Sequence, residues 1–388
     1  MFRTTTSKAL AIAAFSLSVA PVHAQSSLTM YGLLDQALEW SNGTKNASGG
    51  QLGANGWRIV NGISNGSRFG VRGSEDLGGG LKAIFAIEHR FDVDTGDTSG
   101  GPGSPPNSSD KKSVSDNVKF WNGQSWVGLD SSSWGRLTAG RQYVPLYNAL
   151  ANVDATGYRY YNNESQFFNN RLNNSLLYQA PSFAGLVVQA MYAFGESQAP
   201  SVNTSTNAYP QGNGDSYGLG ARWDQGDFSL GGAYMNYGVD KSGYALFSSR
   251  VEWGAGGAWR FSKTGQIGVT YLTSSLGTGV TSSDNNIKNG VVADTSSNTD
   301  FIMVNGRIGL GAGVLYGSYV YKDPNNFKNL KAQNLFGITY DYPLSKRTDV
   351  YVAFGQEGDT KWAGSGTAAL PYSYGTANRA ALGLRHLF

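Results

Sequence analysis

Residues 81–92 read LKAIFAIEHRFD. Ala83, Phe85, Ile87, His89 and Phe91 alternate with Lys82, Ala86, Glu88, Arg90 and Asp92. Successive side chains of an extended chain point to opposite faces, so this stretch is a strand with one apolar and one polar side. The same alternation recurs on both sides of it. At 28–40, Leu28, Met30, Leu34, Leu38 and Trp40 oppose Thr29, Tyr31, Asp35 and Glu39. At 250–261, Val251, Trp253, Ala255 and Trp259 oppose Arg250, Glu252 and Arg260. At 334–342, Phe336, Ile338, Tyr340 and Tyr342 oppose Thr339 and Asp341.

Two architectures bury one face of many strands. A sandwich turns apolar faces inward and uses strands of about five or six residues. A membrane barrel turns them outward, with segments of about ten residues and aromatic ends. The segments here are of the second kind. Short Gly, Ser, Asp and Pro turns fall at 74–80, 130–134, 180–185, 224–227, 262–265, 309–313 and 343–348. Longer polar connections fall between them, at 41–56, 94–117, 142–170, 195–215, 239–247, 274–299, 322–330 and 356–377. Eight long connections alternating with seven short ones give sixteen strands, an even number with both ends on the short-turn side, as outer-membrane barrels have. The fold expected is all-β, a transmembrane antiparallel 16-stranded barrel wide enough for an aqueous channel. Residues 378–388, NRAALGLRHLF, close it against 28–40, with Ala380, Leu382, Leu384, His386 and Phe388 outward and Arg379 and Arg385 inward.

The compartment follows from the start of the chain. Arg3 and Lys8 precede an apolar run at 9–20 and an A-x-A-like Val22-His23-Ala24, which reads as a cleaved export signal. Residues 1–24 are then the signal peptide and 25–388 a single barrel domain. Lys and Arg number 30 and Asp and Glu 27. With Arg3 and Lys8 removed the balance is close to neutral, no footprint for nucleic acid. Cysteine is absent, so there is no disulfide frame and no thiolate nucleophile. Three histidines exist: His23 leaves with the signal, and His89 and His386 fall on apolar faces. A lumenal hydrolase would lack its usual base. No clustered His and Cys ligand set suggests a metal, and no cofactor is expected.

The chain resembles the trimeric general porins of Gram-negative bacteria, the Neisseria and Burkholderia type. The resemblance rests on LTMYGLLD at 28–35, SRFGVRGSEDLGGG at 67–80, Val127-Gly128-Leu129, LTAGRQ at 137–142, LYQAPSF at 177–183 and the terminal Phe388. It implies a homotrimer in outer-membrane lipid that passes small hydrophilic solutes and ions. It also implies a third loop folded into the lumen, with an acidic face opposed by basic wall residues. That loop is 142–170, QYVPLYNALANVDATGYRYYNNESQFFNN, which shows no sustained helical or strand period.

Alternation places Arg68, Arg72, Lys82 and Arg90 on the inner face, and Arg171 opens the strand after the loop. Asp154 and Glu164 are the loop's carboxylates, and the resemblance puts Asp154 in the acidic arc. Two positions depart from the family: Gly123 stands where a base is expected, and Tyr158 where an acid is. These residues are the expected constriction, and five bases against fewer acids predict a modest anion preference. A substrate-selective sugar or amino-acid channel on the same fold is the alternative reading, and an outer-membrane hydrolase a weaker third. Strict alternation also turns Arg141 toward lipid, so either a bulge brings it inward or a neighbouring subunit covers it. The acidic, Gly/Pro-rich connection 94–117 is a candidate latch over that neighbour.

Overall fold

The computed structural model describes residues 26–42, 44–45, 51–52, 55–98, 120–162, 167–195, 215–238, 249–276, 297–323, 332–357 and 377–388. In chain order the elements are β1 (Ser27–Ser41), a small pair β2 (Thr44–Lys45) and β3 (Gln51–Leu52), β4 (Gly56–Asn61), β5 (Arg68–Gly78), β6 (Leu81–Arg90), β7 (Ser125–Ser131) and β8 (Gly135–Tyr143). Helix α1 (Pro145–Leu150) follows, then β9 (Arg171–Gln179), β10 (Leu186–Ala193), β11 (Ser216–Gln225), β12 (Phe228–Gly238) and β13 (Ser249–Trp259). The chain ends with β14 (Gln266–Leu276), β15 (Ser297–Leu310), β16 (Gly313–Asp323), β17 (Gln333–Pro343), β18 (Thr348–Glu357) and β19 (Ala377–Leu387).

Each wall strand pairs antiparallel with its neighbours, and β1 pairs with β19 from Leu33↔Leu387 to Ser41↔Arg379, which closes the barrel. Closure leaves no edge of unsatisfied backbone in lipid. Strands β4 and β5 share one position in the wall: β1 pairs with β4 through Gln36↔Asn61 and with β5 through Leu33↔Arg68. The barrel therefore has sixteen staves, the number expected from the turns. The second stave is interrupted, which the alternation did not reveal. Residues 62–67 leave it where Gly62 takes a positive φ of 72°. Asp35 holds this excursion, accepting from the Asn65 amide at 2.6 Å and donating its own amide to Ser67 Oγ at 2.9 Å.

The faces fall as the pattern predicts. Leu28, Met30, Leu38, Trp253, Phe336, Leu382 and Leu384 are exposed, while Asp35, Glu39, Glu252, Thr339 and Asp341 between them are buried. The exposed apolar side is the lipid-facing band. Trp134, Phe183, Phe228, Trp259 and Tyr342 are exposed beside the short turns, the position of an aromatic girdle. The hairpin between β11 and β12 turns on Gly226 and Asp227 alone, with Gly226 at φ 59°, a conformation that glycine adopts without steric cost.

The connection from β8 to β9 contains a helix that the sequence reading missed. Pro145 sits at its first turn, where its fixed φ suits the helix and its lost N–H is not needed. Pro145, Leu146, Ala149 and Leu150 are buried. Past the helix, the segment touches inner-face residues of strand after strand. The Ala155 amide donates to Asn305 Oδ1 at 2.7 Å, Arg159 Nη2 to Tyr316 Oη at 2.7 Å, and Tyr160 Oη to Asp341 Oδ2 at 2.6 Å. Tyr161 Oη donates to Glu39 on β1. The wall beneath is lined with glycines. A Cβ on Gly231 would lie 1.9 Å from the Ala149 carbonyl oxygen, one on Gly268 2.1 Å from that of Val153, and one on Gly355 2.6 Å from the Tyr161 ring. Two apolar clusters complete the seat. One gathers Val144, Leu146, Leu150, Tyr158 and Phe168 with Met235 and Leu272; the other joins Tyr160 to Ile63, Tyr316 and Tyr351.

Candidate functional site

Strands β5, β6, β8 and β9 bring four guanidinium groups together on the inner wall. Arg90 Nε donates to Glu88 Oε1 at 3.0 Å, and Arg68 Nη1 lies 3.9 Å from Glu88 Oε2. Tyr31 Oη donates to the same carboxylate at 3.3 Å. Tyr143 Oη accepts from Arg90 Nη2 at 3.0 Å and from Arg171 Nη2 at 2.8 Å. The Arg171 guanidinium also lies over the Tyr143 ring, 4.4 Å from its centre, a cation–π contact. Tyr143 stacks on Tyr147 of α1 with ring centres 4.0 Å apart, so the wall cluster is joined to the loop.

Arg141 is the fourth guanidinium. The β8–β9 register shifts between Gly140 and Gln142, and Gly140 has φ 134°. The extra residue is on β9, opposite Arg141, where Asn174 has φ 50°. Arg141 Nη1 donates to Asn173 Oδ1 at 2.7 Å and its Nε to the Asn122 carbonyl oxygen at 3.0 Å. The Arg141 guanidinium is thus held by polar groups of its own chain beside the irregularity. The connection 94–117, considered as a latch, lies outside the described residues beyond residue 98.

The remaining expected residues divide. Arg72 is exposed below the cluster, its guanidinium 5.6 Å from the centre of the Tyr31 ring. Lys82 is not with them: it pairs in register with Asp76 and Asp130 at the short-turn end. That is about 20 Å along the strand from Glu88. Asp154 is buried and its carboxylate is used inside its own turn. It accepts from the Thr156 amide at 2.7 Å, Thr156 Oγ1 at 2.6 Å and the Tyr158 amide at 3.3 Å. Tyr158 is buried with φ 59°, and its hydroxyl donates to the Tyr147 carbonyl oxygen at 2.8 Å. Glu164 lies outside the described residues. Gly123 has a physical reason: a Cβ there would stand 2.5 Å from Glu88 Oε1.

Three contributors escaped the sequence reading. Tyr143 and Tyr147 carry no alternation signal because they flank the bulge and the short helix. Arg159 bridges the loop to the far wall, with Nη1 3.6 Å from Asp341 Oδ2 and its guanidinium 5.0 Å from the Tyr316 ring centre. Arg385, placed inward by the alternation, lies 3.8 Å from the same Asp341 carboxylate and donates to Asp349 Oδ2 at 2.7 Å. Burial holds the Tyr160 and Tyr161 phenols well above their ordinary pKa, and the carboxylates they face, Asp341 and Glu39, add to this. Both remain hydrogen-bond donors that fasten the loop. His89 is packed on the outer face among Phe69, Phe91 and Phe120, its ring 4.2 Å from that of Phe120, and His386 is exposed beside Thr348. Neither is in the arginine cluster.

Comparison with known proteins agrees with this architecture. The family described as Gram-negative porin matches residues 9–361. An outer membrane porin protein of Bordetella pertussis is 26% identical over 357 residues, covering 84% of this chain and 88% of the relative. Outer membrane porin protein 32 of Delftia acidovorans is 32% identical over 278 residues, 64% of this chain and 71% of the relative. Among solved structures, an anion-selective porin from Comamonas acidovorans superposes with a TM-score of 0.69 at 23% identity, covering 94% of this chain and all of that one. A closed barrel with an apolar outer band and a polar inner wall, matched by this family model over most of its length, places the chain in the Gram-negative porin family, as an outer-membrane channel for the passive diffusion of small hydrophilic solutes.

Proposed function

We propose that the third loop, 142–170, of which residues 142–162 and 167–170 are described, narrows the lumen and that the passage left beside it prefers anions modestly. One observation carries this reading. Among the described residues, Arg68, Arg90 and Arg171 gather around the single carboxylate Glu88, with Arg141 beside Arg171 and Arg90, while Asp154 accepts hydrogen bonds within its own turn. Screening acts over about 8 Å in physiological salt, so charge beside the narrowing outweighs the near-neutral whole. The description of the Comamonas acidovorans relative as anion-selective supports the same direction. In this reading Arg72 extends the positive wall below the cluster, and Lys82 lies at the mouth.

The working assembly is a homotrimer in outer-membrane lipid, as one structural relative, OmpT of Vibrio cholerae, is described in a trimer form. The mature protein begins at Gln25 and conducts without catalysing a reaction. The test is the reversal potential of the purified protein in planar bilayers under a KCl gradient. The wild type is expected to show an anion-preferring potential. Arg68→Gln combined with Arg171→Gln should move it toward zero, with the barrel still heat-modifiable on gels. An unchanged potential in that double variant removes these arginines from the filter.

A further inference from the structure

Below the arginine cluster two adjoining recesses open on the inner wall, of about 160 Å³ and about 400 Å³, sharing Gln124, Trp126 and Arg136. Asn148 of α1 lines the first, so the recess lies where the loop meets the wall. Trp126 is on the inner side of β7, since the next residue, Val127, is 61% exposed on the lipid face. Lumen positions of a water-filled barrel are ordinarily polar. In register Trp126 is flanked by Ala86 on β6 and Gly140 on β8, small residues on both sides. Its Nε1 donates to Gln124 Oε1 at 3.0 Å. The ring therefore offers a flat apolar face with its one polar atom already used.

The rest of the lining is cationic and rich in amides. Arg72, Arg136 and Arg222 contribute to the recesses, and among the described residues that line them there is no carboxylate. The Arg136 and Arg222 side chains are 43% and 36% exposed, and the Nε of each has no hydrogen-bond acceptor. Their acidic neighbours, Asp130 at 2.8 Å from Arg136 and Asp224 at 3.8 Å from Arg222, stand outside the lining. Asn148 Nδ2 donates to Gln189 Oε1 at 3.1 Å, and Gln189 Nε2 to Gln179 Oε1 at 2.8 Å. This chain of amides ends on the NH₂ of Gln179, which makes no hydrogen bond among the described residues. The same holds for the NH₂ of Gln124.

We propose that these recesses form a subsite for a sugar acid, a pyranose ring that carries one carboxylate. The ring's apolar face stacks on Trp126. The carboxylate meets Arg136 and Arg222, whose guanidiniums suit planar oxygen pairs. The hydroxyls accept from Gln124 and Gln179. A cation is repelled, a neutral sugar brings no charge to the guanidiniums, whose Nε groups stay without an acceptor, and a small carboxylate leaves the indole uncovered. The proposal rests on the channel reading above and adds a solute class to it.

The experiment is single-channel recording in KCl with sodium D-glucuronate as the probe, and D-glucose and sodium acetate as comparisons. Glucuronate should produce brief current interruptions whose frequency rises with concentration, while glucose and acetate produce none. Trp126→Ala and Arg136→Gln should each weaken the block by about tenfold, the loss expected for one stacking or charged contact. Both variants should keep the wild-type KCl conductance and folded gel mobility. Uninterrupted current in glucuronate, equal block by acetate or glucose, or block unchanged in both variants would each overturn the subsite while leaving the channel intact. A chain that gives no conductance in KCl alone would instead overturn the channel reading itself.

Discussion

Asp154 shows how far a residue's role can depart from its charge. Family likeness suggests an acid facing the passage, but the carboxylate turns back to hold the Thr156 and Tyr158 amides. Asp154→Asn should therefore leave the reversal potential where it is. It should loosen the loop instead, by about 1–3 kcal/mol for a buried donor set left short of an acceptor, read as a lower thermal midpoint and noisier open-channel current. A stronger anion preference in this variant would return Asp154 to the passage. Glu88 is the opposite case. It is buried, yet among the described residues it is the one carboxylate within the arginine cluster, so Glu88→Gln should raise the anion preference in the same measurement; no change would place it outside the filter. The sequence carried part of this. Period 2 put Arg68, Arg90 and Glu88 inward because alternation is a local property of an extended chain. It left Arg141 on the lipid side, with a bulge or a covering neighbour as the ways out, because the extra residue that β9 carries opposite Arg141, where Asn174 has φ 50°, leaves no mark in the alternation. It was silent on Asp154, whose partners lie in an irregular turn.

At the scale of elements, turns and staves were legible because their signals are local. Gly79, Gly80, Gly226 and Gly311, all at positive φ, mark short-turn ends unmistakably. The break between β4 and β5 was not legible: residues 62–67 are too few to separate from an ordinary strand irregularity. Nor was α1, whose six residues are held by the wall they bury against rather than by helical periodicity. That dependence is testable. Gly231→Val places methyl groups where the Ala149 carbonyl now sits. It should cost about 1–3 kcal/mol of overpacking and raise single-channel conductance as α1 lifts from β12. Unaltered conductance and stability would mean that the helix does not rest on that glycine.

The molecule as a whole is organised by two surfaces of opposite character. Phe85 belongs to the lipid side and Ala86, one residue on, to the inner side. Phe85→Arg should reduce the yield of heat-modifiable barrel, since a cation on lipid-facing surface costs roughly 2–4 kcal/mol, whereas Ala86→Arg should assemble normally. Equal yields would contradict the orientation of every stave. The glycines under the loop carry a further consequence for how such a channel changes over time or in an engineer's hands. The hollows at Gly231, Gly268 and Gly355 are moulded to the backbone of residues 149 and 153 and to the ring of Tyr161. A foreign third loop transplanted onto this barrel would meet a mould cast for another shape, and a wall without those hollows would reject the native one. In the proposed reading, pore calibre is inherited jointly by segments about 80 to 190 positions apart in the chain, and neither can drift alone.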